Sequence, residues 1–358
     1  MLRAEQLSSA LRDPDKIHAI QRIMDRLVDN STRPIRIMEV CGGHTHTIVK
    51  YGLDQLLPEQ VGFIHGPGCP VCILPKHRID AALQLAARAD TILVTLGDML
   101  RLPGSQGSLQ EARAAGCDIR VVYSPLDALS IAQENPDQSV VYFAIGFETT
   151  APMTALLIEQ ARQRQLANLF FHINHVLIPP AMEMILAKPG CRVDAFIAPG
   201  HVSVITGSDI FSPIVHRFEK PLVISGFEPV DIMASVERIL RQFNHGEGKV
   251  ENTYSRSVTS EGNRKAQTLM ERYFEPRTSF LWRGIGAIPH SALQLRPEYA
   301  AMDAEAYFAD YCPAPIQDAE DGCICGEILT GLAHPRECRL FNCQCTPIDP
   351  QGSCMVSN

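Results

Sequence analysis

The 358-residue sequence has no apolar run of the length needed to cross a bilayer, and residues 1–15 mix charges with single apolar side chains where a secretory signal would carry an apolar core. A cytoplasmic protein without a membrane partner is expected. Positive charge is also scarce: 32 lysines and arginines against 40 aspartates and glutamates leave a formal charge of -8. Nothing on that scale neutralises a nucleic-acid backbone, so no nucleic-acid partner is expected, although a local basic patch stays open. A phosphate-cradling loop of the Walker type is missing as well, which counts against nucleotide hydrolysis.

Cysteine, by contrast, is abundant. Cytosolic reductants keep ordinary thiols reduced, so twelve cysteines point to metal ligation or redox work rather than to a structural disulfide framework. They fall in two groups. Cys41, Cys69, Cys72, Cys117 and Cys191 are spread over the first two hundred residues, and the other seven crowd between Cys312 and Cys354. Two different thiol sites are expected.

With 46% hydrophobic residues the chain can bury large cores in two or three domains. Residues 1–32 carry Ile17, Ile20, Ile23, Met24 and Leu27 at helical spacing, which predicts an amphipathic lead-in helix. Short apolar runs of strand length follow at 35–40, 61–65, 91–96 and 119–123, with helix-like segments such as 78–88 and 109–115 between them. The rhythm resumes at 140–145, 169–173, 194–198 and 221–225. Strand, loop and helix repeated in this way predict parallel sheets with helices on their faces. The expected fold is α/β: two Rossmann-like parallel-sheet domains, 1–135 and 136–245, facing a central cleft, then a small cysteine-rich iron–sulfur domain over 246–358.

Parallel sheets bind ligands beyond the carboxyl ends of their strands. Those positions hold Cys41-Gly-Gly-His44-Thr-His46, Gly66-Pro-Gly-Cys69-Pro-Val-Cys72, Gly97-Asp98, Gly146-Phe-Glu148-Thr-Thr150 and Pro199-Gly-His201. Cys69 and Cys72 have three uses open to them: packing, a redox disulfide, or metal ligation, and Cys41 on a neighbouring loop favours the last. His44 and His46, read as lying on an extended loop, would point in opposite directions; His44, nearer Cys41, is the expected acid–base or supporting group, and His46 a structural one. Glu148 is expected to face the cleft, whereas Thr149 and Thr150 suit helix capping equally well. Asp98 and His201 are weaker candidates. In the tail, Cys323, Cys325, Cys338, Cys343, Cys345 and Cys354 exceed what one zinc requires, and the 12- and 6-residue gaps between Cys325, Cys338 and Cys345 suit a [4Fe-4S] cluster held by loops.

Taken together, Met38-Glu-Val-Cys41-Gly-Gly-His-Thr-His46, Gly66-Pro-Gly-Cys69-Pro-Val-Cys72, Gly146-Phe-Glu-Thr-Thr150, Ala198-Pro-Gly-His-Val-Ser203 and the tail Cys325-Gly, Cys338-x-x-Phe341, Cys345, Met355-Val-Ser357 resemble the HypD family of hydrogenase maturation factors over essentially the whole chain. The resemblance implies a scaffold on which the Fe(CN)2(CO) part of the nickel–iron hydrogenase centre is assembled, with a HypC-type chaperone and a HypE-type cyanide donor as partners. It implies that Cys41, Cys69 and Cys72 hold or deliver iron, with Cys41, His44 and Glu148 at the reacting centre, and that a tail [4Fe-4S] cluster helps supply the two electrons that cyanide release requires. Family tails usually run on from Met-Val-Ser to Glu-Gly-Ala-Cys, whereas this chain ends at Asn358. Cys325, Cys338 and Cys345 keep their places as cluster ligands, and Cys354 becomes either the fourth ligand or a redox partner of Cys323. The alternative outside this family is a thiol–disulfide oxidoreductase carrying an iron–sulfur cluster.

Overall fold

The computed structural model describes residues 9–28, 33–312, 314, 322–347 and 349–355. The lead-in helix is Pro14–Leu27, capped by the Asp13 carboxylate and started by proline, whose missing N–H would be unpaired in a first turn anyway. Nine strands then alternate with helices: β1 (Ile35–Glu39), β2 (Val61–His65), β3 (Thr91–Leu96), β4 (Ile119–Val122), β5 (Ser139–Gly146), β6 (Leu169–His175), β7 (Ala195–Pro199), β8 (Leu222–Ser225) and β9 (Val250–Asn252). All pair in parallel. β6 is buried along its whole length, as strands covered on both faces must be.

The pairing does not follow the order in which the strands arise. One sheet runs β2-β1-β7-β8-β9 and the other β4-β3-β5-β6. The strands of 1–135 are therefore divided between the two sheets, and those of 136–245 likewise, while β9 adds an edge strand from beyond 245. Residues 91–175 build the second sheet as an insertion within the first. Apolar runs announce that a strand is buried but carry no label for its neighbour, so a sequential division was the natural reading of the rhythm.

Side-chain alternation sorts the cores. Ile35 and Ile37 of β1 face outward to a cluster that holds Ile17 and Met24 of the lead-in helix together with Ile232, Val236 and Ile239 of the long helix Pro229–His245. Met38 and Val40 face the other way, into a core shared with Phe196 and Ala198 of β7 and with Leu93, Val141, Phe143 and Ile145 of the second sheet. The far side of that sheet packs Val140, Tyr142 and Ala144 against Ala155, Leu157 and Ile158 of the helix Ala151–Gln163. Burying about 25 cal/mol per Å² of apolar surface, this central layer ties both sheets into one body.

After β9 come two small antiparallel ribbons, β10 (Phe274–Pro276) with β13 (Leu293–Leu295) and β11 (Ser279–Trp282) with β12 (Gly286–Pro289), and a short tail helix, Cys325–Leu329. These ribbons lie in the stretch where the apolar rhythm of the sequence weakens. The architecture is α/β, with two parallel sheets and a cysteine-rich C-terminal region. Among the described residues no helix is long and apolar enough to cross a membrane.

Candidate functional site

The carboxyl ends of β1, β2, β7 and β8 meet at one edge of the first sheet. Cys41 ends β1 and stands at the N-cap of the helix Gly42–Tyr51. That helix is a departure from the extended loop expected for Gly-Gly-His-Thr-His; the paired glycines, poor helix formers, concealed it. His44 and His46 still diverge, because two helical positions turn a side chain by about 200°. His44 is fully buried and His46 exposed.

The His44 ring stacks on Phe227 with centroids 4.8 Å apart, and His201 stacks on the same phenyl ring at 3.9 Å. His44 Nε2 lies 3.4 Å from the Ser225 carbonyl, and its Nδ1 is buried without a partner among the described residues. Burial, with a smaller push from His201, lowers the His44 pKa, so the ring is neutral at physiological pH. Burial likewise pushes the Cys41 thiol up to about 11, against the pull of the N–H groups of Gly43 and His44. Cys41 is thus a protonated thiol until something positive draws off its proton.

Glu39 organises this edge, and sequence reasoning passed over it. Fully buried at the end of β1, it accepts from the Cys41 N–H at 3.0 Å, from the Thr45 hydroxyl, and stands 2.7 Å from His65 Nδ1. A carboxylate between Met38 and Val40 in a buried strand was the available signal, since a buried charge needs partners. Phe227, just beyond the end of β8, was missed for the opposite reason: an apolar residue carries no chemical signal of its own. Glu228 and Asp231 form a reciprocal cap on Pro229–His245.

The second cysteine loop folds onto Cys41. The Gly42 N–H donates to the Gly68 carbonyl at 3.2 Å. A Cβ on Gly68 would stand 2.5 Å from Gly42 N and 2.8 Å from Cys41 Cα, so only glycine permits the approach. Cys69 and Cys72, expected as metal ligands, are joined as a disulfide, with the Cys72 N–H directed at Cys69 Sγ at 3.1 Å. In that oxidised state neither sulfur bears the negative charge a soft metal seeks, and only the reduced pair offers thiolates to one.

The tail reaches the same loop. Arg283 donates its N–H to Ile73 O at 2.8 Å, its Nε–H to Leu74 O at 2.9 Å and an Nη1–H to Pro350 O at 2.9 Å, and Lys76 Nζ donates to Gln351 at 3.2 Å. Arg283 therefore clamps the segment after Cys72 to the loop before Cys354, a role with no local sequence signature. Cys325 lies between Gly284 and Gly352, where a Cβ on Gly352 would come within 2.6 Å of the Cys325 Cβ. Its sulfur accepts the Cys354 N–H at 3.3 Å, and the hydrogen bond from the Cys354 thiol lowers the Cys325 pKa to about 7 while raising that of Cys354. Cys323, Cys338 and Cys345 lie close enough to act on these charges, so five tail cysteines converge. Cys343 stays apart, its thiol donating to Arg339 O at 3.1 Å. Among the described residues no three His, Cys, Asp or Glu side chains surround a common point as metal ligands. The tail donor set nonetheless suits a [4Fe-4S] cluster in number and softness, with the Cys325–Cys354 contact closing the space between donors.

Glu148 stands at the carboxyl end of β5, in the second sheet. It is buried, accepts the Ile178 N–H at 2.9 Å through Oε1, and among the described residues has no partner at Oε2; burial raises its pKa to about 7. No hydrogen bond or ion pair among the described residues joins it to Cys41. Thr150 holds the N-cap position expected for it, but its hydroxyl donates to the Ile145 and Phe147 carbonyls instead of capping the helix. Asp98 is exposed at the end of β3.

The comparison with known proteins decides the family. Residues 15–358 match the HypD family model, described as the hydrogenase formation hypA family. The chain belongs to the HypD family. It is 50% identical over 353 residues to the hydrogenase maturation factor HypD of Rhizobium leguminosarum bv. viciae, covering 97% of this chain and 91% of the relative. It is 46% identical over 352 residues to HypD of Escherichia coli K12, covering 97% and 94%. With the hydrogenase expression/formation protein HupD of Azotobacter chroococcum it shares 51% identity over 332 residues, 91% of this chain and 87% of the relative. Family membership thus spans both sheets and the cysteine-rich tail.

Proposed function

We propose that this chain is a hydrogenase maturation factor that carries iron as its cargo while cyanide and carbonyl ligands are added to it, working with a HypC-type chaperone and a HypE-type cyanide donor. The observation that carries the reading is the placement of Cys41, a proton-holding thiol at a helix N-terminus, directly beneath a disulfide loop that is itself clamped to a nest of tail thiols. Cys41 would bind the iron, releasing its proton as the metal arrives. Glu39 fixes the backbone of Cys41, and the neutral His44 ring, held by Phe227, backs the same edge. Glu148, titrating near neutrality, is the chain's buried proton acceptor and donor on the second sheet.

Cyanide arriving as a thiocyanate on a partner cysteine leaves only with two electrons. The reduced Cys69–Cys72 pair supplies both: two thiols and the thiocyanate give one disulfide, the partner's thiol, one cyanide and one proton. The Cys69–Cys72 disulfide would be the product form of that step. Cys325, Cys338, Cys345 and Cys354 would hold the [4Fe-4S] cluster, with Cys323 beside them. When bound, the cluster would supply single electrons for resetting the disulfide.

Iron analysis tests the cargo role. Cys41→Ala isolated anaerobically with the chaperone partner is expected to lose most of its non-cluster iron while keeping the wild-type circular dichroism and Tm. Unchanged iron content would sink the assignment. The Cys69–Cys72 disulfide also favours a second reading, a thiol–disulfide oxidoreductase acting without iron; a metal-free protein that turns over a disulfide substrate equally well in wild type and Cys41→Ala would support it over the scaffold.

A further inference from the structure

At the opposite end of the first sheet from Cys41, the amino ends of β1, β7 and β8 open onto a pocket of about 440 Å³. Arg33 and Arg36 line it from the start of β1, Cys191, Arg192 and Asp194 from the segment leading into β7, and Lys220 from just before β8. The iron site makes no use of these residues.

Charge sets the pocket apart. The chain as a whole carries a formal charge of -8, yet here four cations line one space with Asp194 as the only carboxylate among the described lining residues. Asp194 is buried and both its oxygens are taken: one meets Arg33 at 2.8 Å and Lys220 at 3.8 Å, and the other accepts the Arg36 N–H at 2.9 Å. It pins the cations in place without neutralising them. Arg36 also donates an Nη1–H to the Gly331 carbonyl, a neutral group that leaves the guanidinium charge whole. Arg192 is exposed, and among the described residues no carboxylate pairs with it. The Arg33 side chain is 66% exposed and that of Lys220 32%, so an occupant of the pocket reaches both.

A cleft lined by one sign of charge concentrates ions of the other. The two oxygens of a carboxylate match one guanidinium fork, whereas a phosphate presents its oxygens in a tetrahedral array that several forks and an ammonium can share. We propose that this pocket binds a small multivalent phosphate anion, held by Arg33, Arg36, Arg192 and Lys220. Cys191 is a reporter already in place. It is a partly exposed thiol whose pKa is raised by burial and drawn back by Lys220 and Lys188, so it senses the charge around it. An anion seated in the pocket would offset those lysines and cover the sulfur, and both effects slow its alkylation.

Radiolabelled inorganic pyrophosphate is the probe, in equilibrium dialysis against the anaerobically isolated full chain at fixed ionic strength. Wild type is expected to bind it saturably, with citrate, a multivalent anion built from carboxylates alone, at least tenfold weaker as a competitor. Arg192→Glu, at an exposed position, removes a charge-assisted hydrogen bond and adds repulsion, so binding is expected to weaken about tenfold or more. Lys220→Gln should weaken it several-fold. Pyrophosphate also chelates iron, but binding at iron would survive both substitutions. Bound pyrophosphate should slow the alkylation of Cys191 by iodoacetamide, read by peptide mass spectrometry, and leave that of Cys117, just before β4 in the second sheet, unchanged. No saturable binding by wild type, citrate binding as tightly as pyrophosphate, undiminished binding in either variant, or a Cys191 alkylation rate indifferent to pyrophosphate would overturn the proposal.

Discussion

Glu148 and Cys41 both hold their protons to higher pH than such side chains ordinarily do, with measurable consequences. Glu148 is raised from 4.5 to about 7 by burial. An acid whose native pKa exceeds its unfolded value stabilises the fold fully below about pH 4.5 and loses that contribution as pH climbs through about 7. The loss amounts to roughly 3 kcal/mol. Urea unfolding of the apo chain is therefore expected to show stability falling across this window, and Glu148→Gln, which cannot ionise, should flatten the fall. Parallel curves for the two proteins would mean that Glu148 is ionised throughout. Cys41 works in the opposite sense. Its burial costs nothing while the thiol is neutral, and only a cation makes its deprotonation favourable.

At the scale of elements, the site depends on how closely two loops approach. Gly68→Ala would press a methyl into the Cys41 backbone, which cannot yield as a side-chain tip would. Overpacking of this kind costs roughly 1–3 kcal/mol. A Tm lowered accordingly, with iron retention lost in step, is the expected outcome. Gly97→Ala is the control, since its methyl would meet only Val121 at 3.6 Å. Equal effects from both would show that the loop contact is unimportant. Much of this edge was legible from residues alone. Cys41, His44 and His201 fall after β1 and β7 because parallel strands deliver their carboxyl ends to one side, and the apolar runs marked those ends accurately. The helix Gly42–Tyr51 was hidden by its glycines. Glu39 was hidden by the strand pattern around it, and Arg283 by distance, since its partners Ile73, Leu74 and Pro350 are brought near only by the fold.

The whole molecule is interleaved: the first sheet opens before residue 65 and closes only at β9, with the second sheet inserted between. That closure explains how one edge gathers Cys41, Cys69 and Cys72 from early in the chain with His201 and Phe227 from late in it. Strand order was the part least accessible to sequence, because apolar runs do not say which neighbour they pair with. The tail then returns across the molecule, and Arg283 joins it to the disulfide loop. The central claim is that Cys41 carries iron bearing cyanide and carbonyl ligands. Infrared spectroscopy of the anaerobically isolated complex with the small chaperone reads it most directly, because those ligands absorb where protein is nearly silent. Cyanide and carbonyl bands in wild type that vanish in Cys41→Ala are predicted; bands that persist in Cys41→Ala, or none in a wild-type sample that still contains iron, would contradict it.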